Sequence, residues 1–270
     1  MGPLVSTEWL GTRLHSESLR VADCRFYLAE SARGEDEYRA GHIPGALYFS
    51  LDRDLTATPG AGRHPLPGAA AFAEDMRRVG IGIEHTVVVY DQGDSSMAAR
   101  MWWMLRSLGH RDAFVLDGGW AAWERERRSI TAEVLPWPPA ETAIGGTWSG
   151  TIDREAIVAG RDHLLLLDSR AAARHRGEVE PIDPVAGHIP GSVNIPYQGN
   201  TDETGRFLPV GDLTERFAAL TSRNPIVCYC GSGVTACSNI LAMEIAGRAG
   251  VLLYPGSWSD WCTSGGEVAP

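Results

Sequence analysis

Several features are missing from this 270-residue sequence, and each absence excludes a class of protein. No run approaches the roughly 18 consecutive apolar residues that a membrane-spanning helix needs. The N-terminus has no basic segment followed by an apolar one, which argues against a signal peptide. The formal charge is −10, with 24 Lys and Arg against 34 Asp and Glu. This charge argues against nucleic acid or an anionic membrane as a partner, because both require a basic surface.

Cysteine is scarce, and its spacing lacks the patterns of metal and redox sites. The five cysteines are Cys24, Cys228, Cys230, Cys237 and Cys262. An odd, scattered set predicts free thiols in a reducing compartment, and hence a cytoplasmic location. A zinc site would need a second cysteine pair beside Cys228 and Cys230, and a thioredoxin-type motif would need C-x-x-C. Neither is present, so we expect no metal and no cofactor.

The sequence does contain two copies of one unit. The stretch "EYRAGHIPGALYFSL" at residue 37 is echoed by "DPVAGHIPGSVNIPY" at 183, and "TVVVYDQGDSSMAARM" at 86 is echoed by "PIVCYCGSGVTACSN" at 225. Shared order of this kind predicts a duplicated domain. We place the two domains at residues 1–135 and 151–270, joined by a Pro- and Gly-rich linker at 136–150.

Each copy alternates short β-branched runs with turns and helical stretches. This alternation predicts an α/β fold of two tandem domains, each a mostly parallel sheet with helices on both faces. In the second copy a helix is predicted from about Val234 to near Gly247, a glycine suited to end it. Ligands bind such sheets beyond the carboxyl ends of strands, which is where the segment "CGSGVT" begins at Cys230.

Cys230 lies between a predicted strand and a predicted helix. Gly231 and Gly233 allow consecutive backbone N–H groups to turn inward as an anion-binding nest. The helix N-terminus adds partial positive charge, so this position favours a thiolate nucleophile. A buried structural cysteine at a tight turn is the alternative. A tyrosine-phosphatase loop is disfavoured, because the arginine it requires six residues after the cysteine is replaced by Ala236.

The first copy has Asp91 where the second has Cys230. A carboxylate cannot serve as a sulfur-carrying nucleophile, and one aimed at an anion pocket would repel an anionic substrate. We therefore predict that the first domain is catalytically inactive and that the second is the catalytic domain.

Taken together, these motifs resemble the tandem-rhodanese sulfurtransferases, the family that contains thiosulfate and 3-mercaptopyruvate sulfurtransferases. "CGSGVTA" at 230 is similar to the mercaptopyruvate-type active-site loop. "DSRAAARHRG" at 168, "GHIPG" at 41 and 187, and "GSWSDW" near the C-terminus resemble family landmarks in the same order. The resemblance covers essentially the whole chain.

The resemblance implies roles for individual residues. Cys230 would take a sulfur atom from the donor and become a persulfide, which a thiol such as thioredoxin or a small thiol, or cyanide, would then accept. Ser232, His64 and Asp52 would form a group that delivers a proton to the departing enolate. The residues that would bind the donor are Arg174, Gly231, Gly233, Val234 and Thr235.

The donor itself is left open between two anions. A neutral loop, with Gly231 and Ser232 where thiosulfate-preferring members usually carry basic residues, favours 3-mercaptopyruvate. However, the family usually has a second arginine nine residues after Arg174, and this chain has Asp183 there. Arg176 is a candidate substitute for that missing arginine. A thiosulfate-preferring enzyme and a non-enzymatic persulfide carrier remain the alternatives. Among the other cysteines, Cys228 and Cys237 are predicted to be buried, Cys237 about two turns into the helix, and Cys262 to be exposed.

Overall fold

The computed structural model describes residues 2–220 and 225–270, which form two compact units. Unit 1 consists of the residues up to Ala57, Pro67–Ser149 and Thr201–Phe207. Unit 2 consists of the described residues of Thr58–Leu66, Gly150–Asn200 and Leu208–Pro270. Each unit thus includes a short segment from the other half of the sequence. The predicted domains, 1–135 and 151–270 with a linker at 136–150, are continuous and do not include this exchange. Those limits stay a prediction.

A parallel sheet of order β1-β5-β4-β2-β3 forms the centre of unit 1. Its strands are β1 (Leu4–Val5), β2 (Leu19–Asp23), β3 (Ala46–Tyr48), β4 (Thr86–Tyr90) and β5 (Ala113–Leu116). The helices that flank it are α1 (Thr7–Gly11), α2 (Arg33–Ala40), α3 (Leu51–Asp54), α4 (Ala69–Arg78), α5 (Ser96–Ser107) and α6 (Gly119–Arg125).

Unit 2 repeats this arrangement with a parallel sheet of order β7-β6-β8-β9. Its strands are β6 (Leu165–Asp168), β7 (Val193–Asn194), β8 (Ile226–Tyr229) and β9 (Leu252–Leu253). Its α-helices are α7 (Arg154–Gly160), α8 (Ala172–His175), α9 (Val210–Arg216), α10 (Ala236–Ile245) and α11 (Ser257–Thr263), with 3-10 turns at Arg161–His163 and Tyr197–Asn200. The order β9-β8-β6-β7 matches β5-β4-β2-β3 of unit 1, so the predicted duplication and α/β fold are confirmed.

Both cores are built from the central strands. Every residue of β2 and β8 is buried, as expected where helices cover both faces of a parallel sheet. Val88, Tyr90 and Trp123 belong to the apolar cluster of unit 1, and Tyr229 and Trp258 to that of unit 2. Trp123 and Trp258 are therefore packing residues. Among the described residues, no helix is long and apolar enough to cross a membrane.

A buried ion pair recurs at the same place in each unit. Arg25 donates to Asp23 at 2.7 Å in unit 1, and Arg170 donates to Asp168 at 2.6 Å in unit 2. Both arginines also donate at 2.8 Å to the carbonyl of the first glycine of the GHIPG motif in their own unit. The ion pairs join the end of the strand to the motif, which explains why the two landmarks occur together in both copies.

The helix after Cys230 starts later than predicted. It begins at Ala236 rather than at about Val234, so Cys237 is its second residue and not two turns along it. It ends as predicted, because Gly247 adopts a left-handed φ of 81° and donates to the Glu244 carbonyl at 3.0 Å. The residues between Cys230 and Ala236 are therefore free to form a loop.

Candidate active site

Cys230 lies directly after β8, at the carboxyl end of the central strand of unit 2. Its side chain is 99% buried, and its amide donates to Ser257 Oγ at 3.1 Å. The Cys230 carbonyl accepts from the Trp258 amide at 2.9 Å, and the Gly231 carbonyl accepts from the Ser259 amide at 2.9 Å. The start of the loop is thus held in place by the first turn of α11.

The backbone of Pro255 approaches the loop so closely that only glycine fits at Gly233. Gly233 has a φ of 75°, and a Cβ atom there would lie 3.0 Å from the backbone carbonyl carbon of Pro255. Any other residue would combine a strained conformation with a clash. Val234 is buried, and Thr235 immediately precedes α10. The predicted loop between strand and helix is present.

His64 and Ser232 form a hydrogen bond within unit 2. The His64 Nδ1 and Ser232 Oγ atoms are 2.8 Å apart, and both side chains are buried. The segment Thr58–Leu66 brings His64 to this unit even though it comes from the first half of the sequence. An imidazole bonded to a hydroxyl can move a proton, which is the chemistry predicted for this pair.

Asp52, the third predicted member of this group, lies on α3 in unit 1, whereas His64 and Ser232 belong to unit 2. The proposed contact of Asp52 with His64 therefore stays a prediction.

Two arginines lie beside the loop. A Cβ atom on Gly231 would be 3.0 Å from Arg63 Nη2 and 3.4 Å from Arg174 Nη1, so glycine leaves room for both guanidinium groups. Arg174 was predicted from the sequence, and Arg63 was missed. The loop itself is neutral, as its sequence indicates, but Arg63 adds a second cation beside it from a segment remote in sequence. Arg176, the candidate substitute, instead pairs with Glu178 at the surface.

Two buried carboxylates hold these arginines. Glu180 accepts two hydrogen bonds from Arg174, at 2.6 and 3.1 Å, and Asp183 accepts from both Arg174, at 3.2 Å, and Arg63. Burial opposes ionisation of Glu180, but the hydrogen bonds from Arg174 and from backbone amides outweigh it and lower its pKa. Burial raises the pKa of Asp183, with Arg63 acting in the opposite direction and Glu180 reinforcing the rise. Asp183 thus bridges two cations beside the loop.

Unit 1 shows what the equivalent loop binds. Asp91 is fully buried, and its carboxylate accepts hydrogen bonds from the amides of Gly93, Ser95, Met97 and Ala98 at 2.9 to 3.1 Å. The Asp91 carbonyl accepts from an amide of α6 just as the Cys230 carbonyl accepts from an amide of α11. The loop of unit 1 is therefore an anion-binding nest that its own carboxylate fills.

This carboxylate gives a testable pH dependence. Burial, reinforced by Asp94 and opposed by the amides of Ala98, Gly93 and Ser95, raises the pKa of Asp91 to about 7. Since the folded state then holds a proton that the unfolded state has lost, the free energy of unfolding falls as the pH rises from about 4 to 7, by at most about 1.4 kcal/mol per pH unit. We expect Asp91→Asn to remove this slope in denaturant unfolding measured between pH 4.5 and 8. The exposed Asp36→Asn should keep it, and equal slopes in both variants would contradict the assignment.

The remaining cysteines differ from Cys230 in their surroundings. Cys24 and Cys228 are buried, and burial raises the pKa of both thiols well above its ordinary value. Cys237 is also fully buried, and its Sγ lies 3.5 Å from the Gly233 carbonyl. Cys262 is partly exposed, and burial raises the pKa of its thiol as well. The predicted burial of Cys228 and Cys237 is confirmed, and Cys262 is less exposed than predicted.

Comparison with known proteins decides the family. A model described as the rhodanese-like domain matches residues 6–126 and again residues 154–264. The chain belongs to the rhodanese family. The resemblance to tandem-rhodanese proteins is thereby confirmed, since the two matches fall on the two sequence repeats. The rhodanese domains also correspond to the two parallel sheets.

The names of the relatives of this rhodanese-family chain include both candidate donors, 3-mercaptopyruvate and thiosulfate. A Pseudomonas aeruginosa protein named "Probable 3-mercaptopyruvate sulfurtransferase" is 44% identical, over 96% of this chain and 95% of the relative. The "Thiosulfate sulfurtransferase" of Gallus gallus is 34% identical, over 96% of this chain and 92% of the relative. The crystal structure of SseA from Escherichia coli, presented with the 3-mercaptopyruvate sulfotransferases, is similar with a TM-score of 0.82 and 30% identity, over 96% of this chain and all of that one.

Proposed function

We propose that this chain is a sulfurtransferase that moves a sulfur atom from 3-mercaptopyruvate to a thiol acceptor through a persulfide on Cys230. The observation that carries this proposal is the hydrogen bond between His64 and Ser232. Ser232 lies in the same loop as the buried Cys230, which follows the end of β8. The family and the names of the relatives support the reaction class.

The first half-reaction is a displacement at sulfur. The Cys230 thiolate attacks the donor sulfur, an S–S bond forms, and the C–S bond of the donor breaks. The electron pair leaves with the three-carbon fragment as the enolate of pyruvate, which must gain a proton. Ser232 delivers that proton, and His64 orients the hydroxyl and resupplies it. Asp52 is the proposed partner that fixes the tautomer of His64.

The persulfide is stabilised by the loop itself. Counting from Asp91, the positions that correspond to its four donors are Ser232, Val234, Ala236 and Cys237, but the Cys237 amide already donates to the Val234 carbonyl at 3.0 Å. The outer sulfur carries negative charge, and the amides of Ser232, Val234 and Ala236 are its proposed donors. Donor binding then uses the loop glycines, Thr235 and Arg174. The first domain supplies no nucleophile, because Asp91 fills its nest.

In the second half-reaction a thiolate attacks the outer sulfur, and the Cys230 thiolate leaves. A small thiol or a thioredoxin-like protein is the proposed acceptor, and cyanide can replace it in an assay. None of the five cysteines forms a disulfide, which supports a reducing location, and we place the protein in the cytoplasm.

Thiosulfate is the second candidate donor, favoured by the two guanidinium groups beside Gly231 and by the name of the Gallus gallus relative. We expect kcat/KM to be at least about tenfold higher with 3-mercaptopyruvate, because only this donor leaves as an enolate that needs the proton from Ser232. Parallel initial rates of pyruvate and sulfite release with one shared thiol acceptor test this. A higher kcat/KM with thiosulfate would reverse the donor assignment, and no turnover with either donor would favour a persulfide carrier.

A further inference from the structure

Two guanidinium nitrogens beside the reactive loop have no hydrogen-bond partner among the residues that the structure describes. Arg174 uses Nε and Nη2 for Glu180 and Asp183, which leaves Nη1 unused. Arg63 uses Nη1 for Asp183, which leaves Nη2 unused. These two unused nitrogens both face Gly231. A Cβ atom placed on Gly231 would lie 3.0 Å from Arg63 Nη2 and 3.4 Å from Arg174 Nη1.

Arg63 is held so that its cation faces the loop. Its backbone amide donates to Ser259 Oγ at 2.9 Å, and its Nη1 is fixed on Asp183. Its Nε atom is buried without a partner in the described part of the chain. The side chain is 27% exposed whereas that of Asp183 is only 4% exposed, so the open side of this ion pair is the cation. An arginine placed only to neutralise Asp183 would not need to leave donors unsatisfied next to the nucleophile.

We propose that Arg63 is a donor-binding residue that, with Arg174, grips the carboxylate of the sulfur donor, and that Asp183 is a positioning residue that sets both guanidinium groups at Gly231. The inference rests on the proposed function for the identity of the donor. Each guanidinium has one terminal nitrogen left facing the loop, and two such cationic donors side by side match the two oxygens of a carboxylate. The site is therefore built from a segment of the first half of the sequence and from two segments of the second.

The main test is Arg63→Ala. We expect KM for 3-mercaptopyruvate to rise about 10- to 100-fold with kcat changed less than about threefold, because a charge-assisted hydrogen bond to the bound donor is lost and the nucleophile is untouched. The dissociation constant of pyruvate for the Cys230→Ser protein, measured by calorimetry, should rise about tenfold or more when Arg63→Ala is added. Arg176→Ala is the matched control, since it removes an arginine that is paired at the surface, and its KM should equal that of the parent.

An exchange of the two charges separates donor binding from simple ion pairing. Arg63→Asp places two carboxylates together and should raise KM more than Arg63→Ala does. Adding Asp183→Arg restores the ion pair with reversed charges but removes the contact of Asp183 with Arg174, so KM should recover in part from the Arg63→Asp value. Near-ultraviolet circular dichroism would establish that each variant is folded.

The outcomes are distinct from failure of the proposed function. If the parent releases no pyruvate from 3-mercaptopyruvate, the function is wrong. If the parent turns over normally but Arg63→Ala leaves KM and pyruvate affinity unchanged, the role of Arg63 is overturned and the function stands. A folded Arg63→Asp/Asp183→Arg protein that recovers nothing overturns the role given to the Asp183 side of the pair.

Discussion

Replacing Cys230 with serine is expected to lower kcat with 3-mercaptopyruvate by at least about four orders of magnitude while leaving the fold intact. A serine hydroxyl has the shape to occupy this position, but it is neither ionised near neutral pH nor able to hold a transferable sulfur. Mass spectrometry of the parent after exposure to donor should show about 32 Da added to Cys230, and the variant should show none.

Cys262→Ser is the matched control for this experiment. Cys262 lies on α11 in the same unit and is partly exposed, so its removal should leave both turnover and the added mass unchanged. Near-parental activity in the Cys230→Ser protein would refute the assignment of the nucleophile, and so would added mass on another cysteine.

Removing the proton-handling pair has the second largest expected effect. His64→Ala and Ser232→Ala should each lower kcat with 3-mercaptopyruvate by about 10²- to 10³-fold, since the enolate then leaves without a positioned proton donor. The double variant should lose little more than either single variant, because the two side chains act through one hydrogen bond.

The thiosulfate reaction provides an internal control for this pair. Sulfite leaves as a stable anion, so both variants should retain rates within about tenfold of the parent with that donor. Equal losses with both donors would mean that the pair supports the loop and does not deliver a proton. Independent, multiplicative losses in the double variant would contradict a shared proton path.

The duplication makes unit 1 a reference for unit 2. The same strand end and the same contact with the following helix occur in both, but one loop holds a carboxylate and the other a thiol. The two loops differ in backbone conformation, since φ is left-handed at Ser95 in unit 1 and at Gly233 in unit 2. Four backbone amides bind the Asp91 carboxylate, so a loop at this strand end can form an anion-binding nest without a cysteine. The chemistry of each unit is then decided by a single residue at the end of its central strand.

Much of the fold was predictable because its signals are local. Buried β-branched runs, turn glycines and the alternation of strand with helix are recognised from residues only a few positions apart, and the sequence repeat supplies each of these signals twice. The prediction begins the helix directly after the last loop glycine, Gly233, whereas the first helical residue is Ala236. The left-handed Gly233, pressed against Pro255, delays the helix, and that contact is not local in sequence.

The sequence by itself determined that Cys230 ends a strand, that its loop can turn backbone amides inward, and that the first copy has a carboxylate in its place. Only the tertiary structure decided which side chains surround that loop. His64 and Ser232 are 168 residues apart, and Arg63 and Asp183 are 120 apart, yet both pairs are in contact within unit 2. A segment of the first half of the sequence crosses into unit 2 because packing, hydrogen bonds and charge pairing act through space, whereas sequence patterns record only neighbours along the chain.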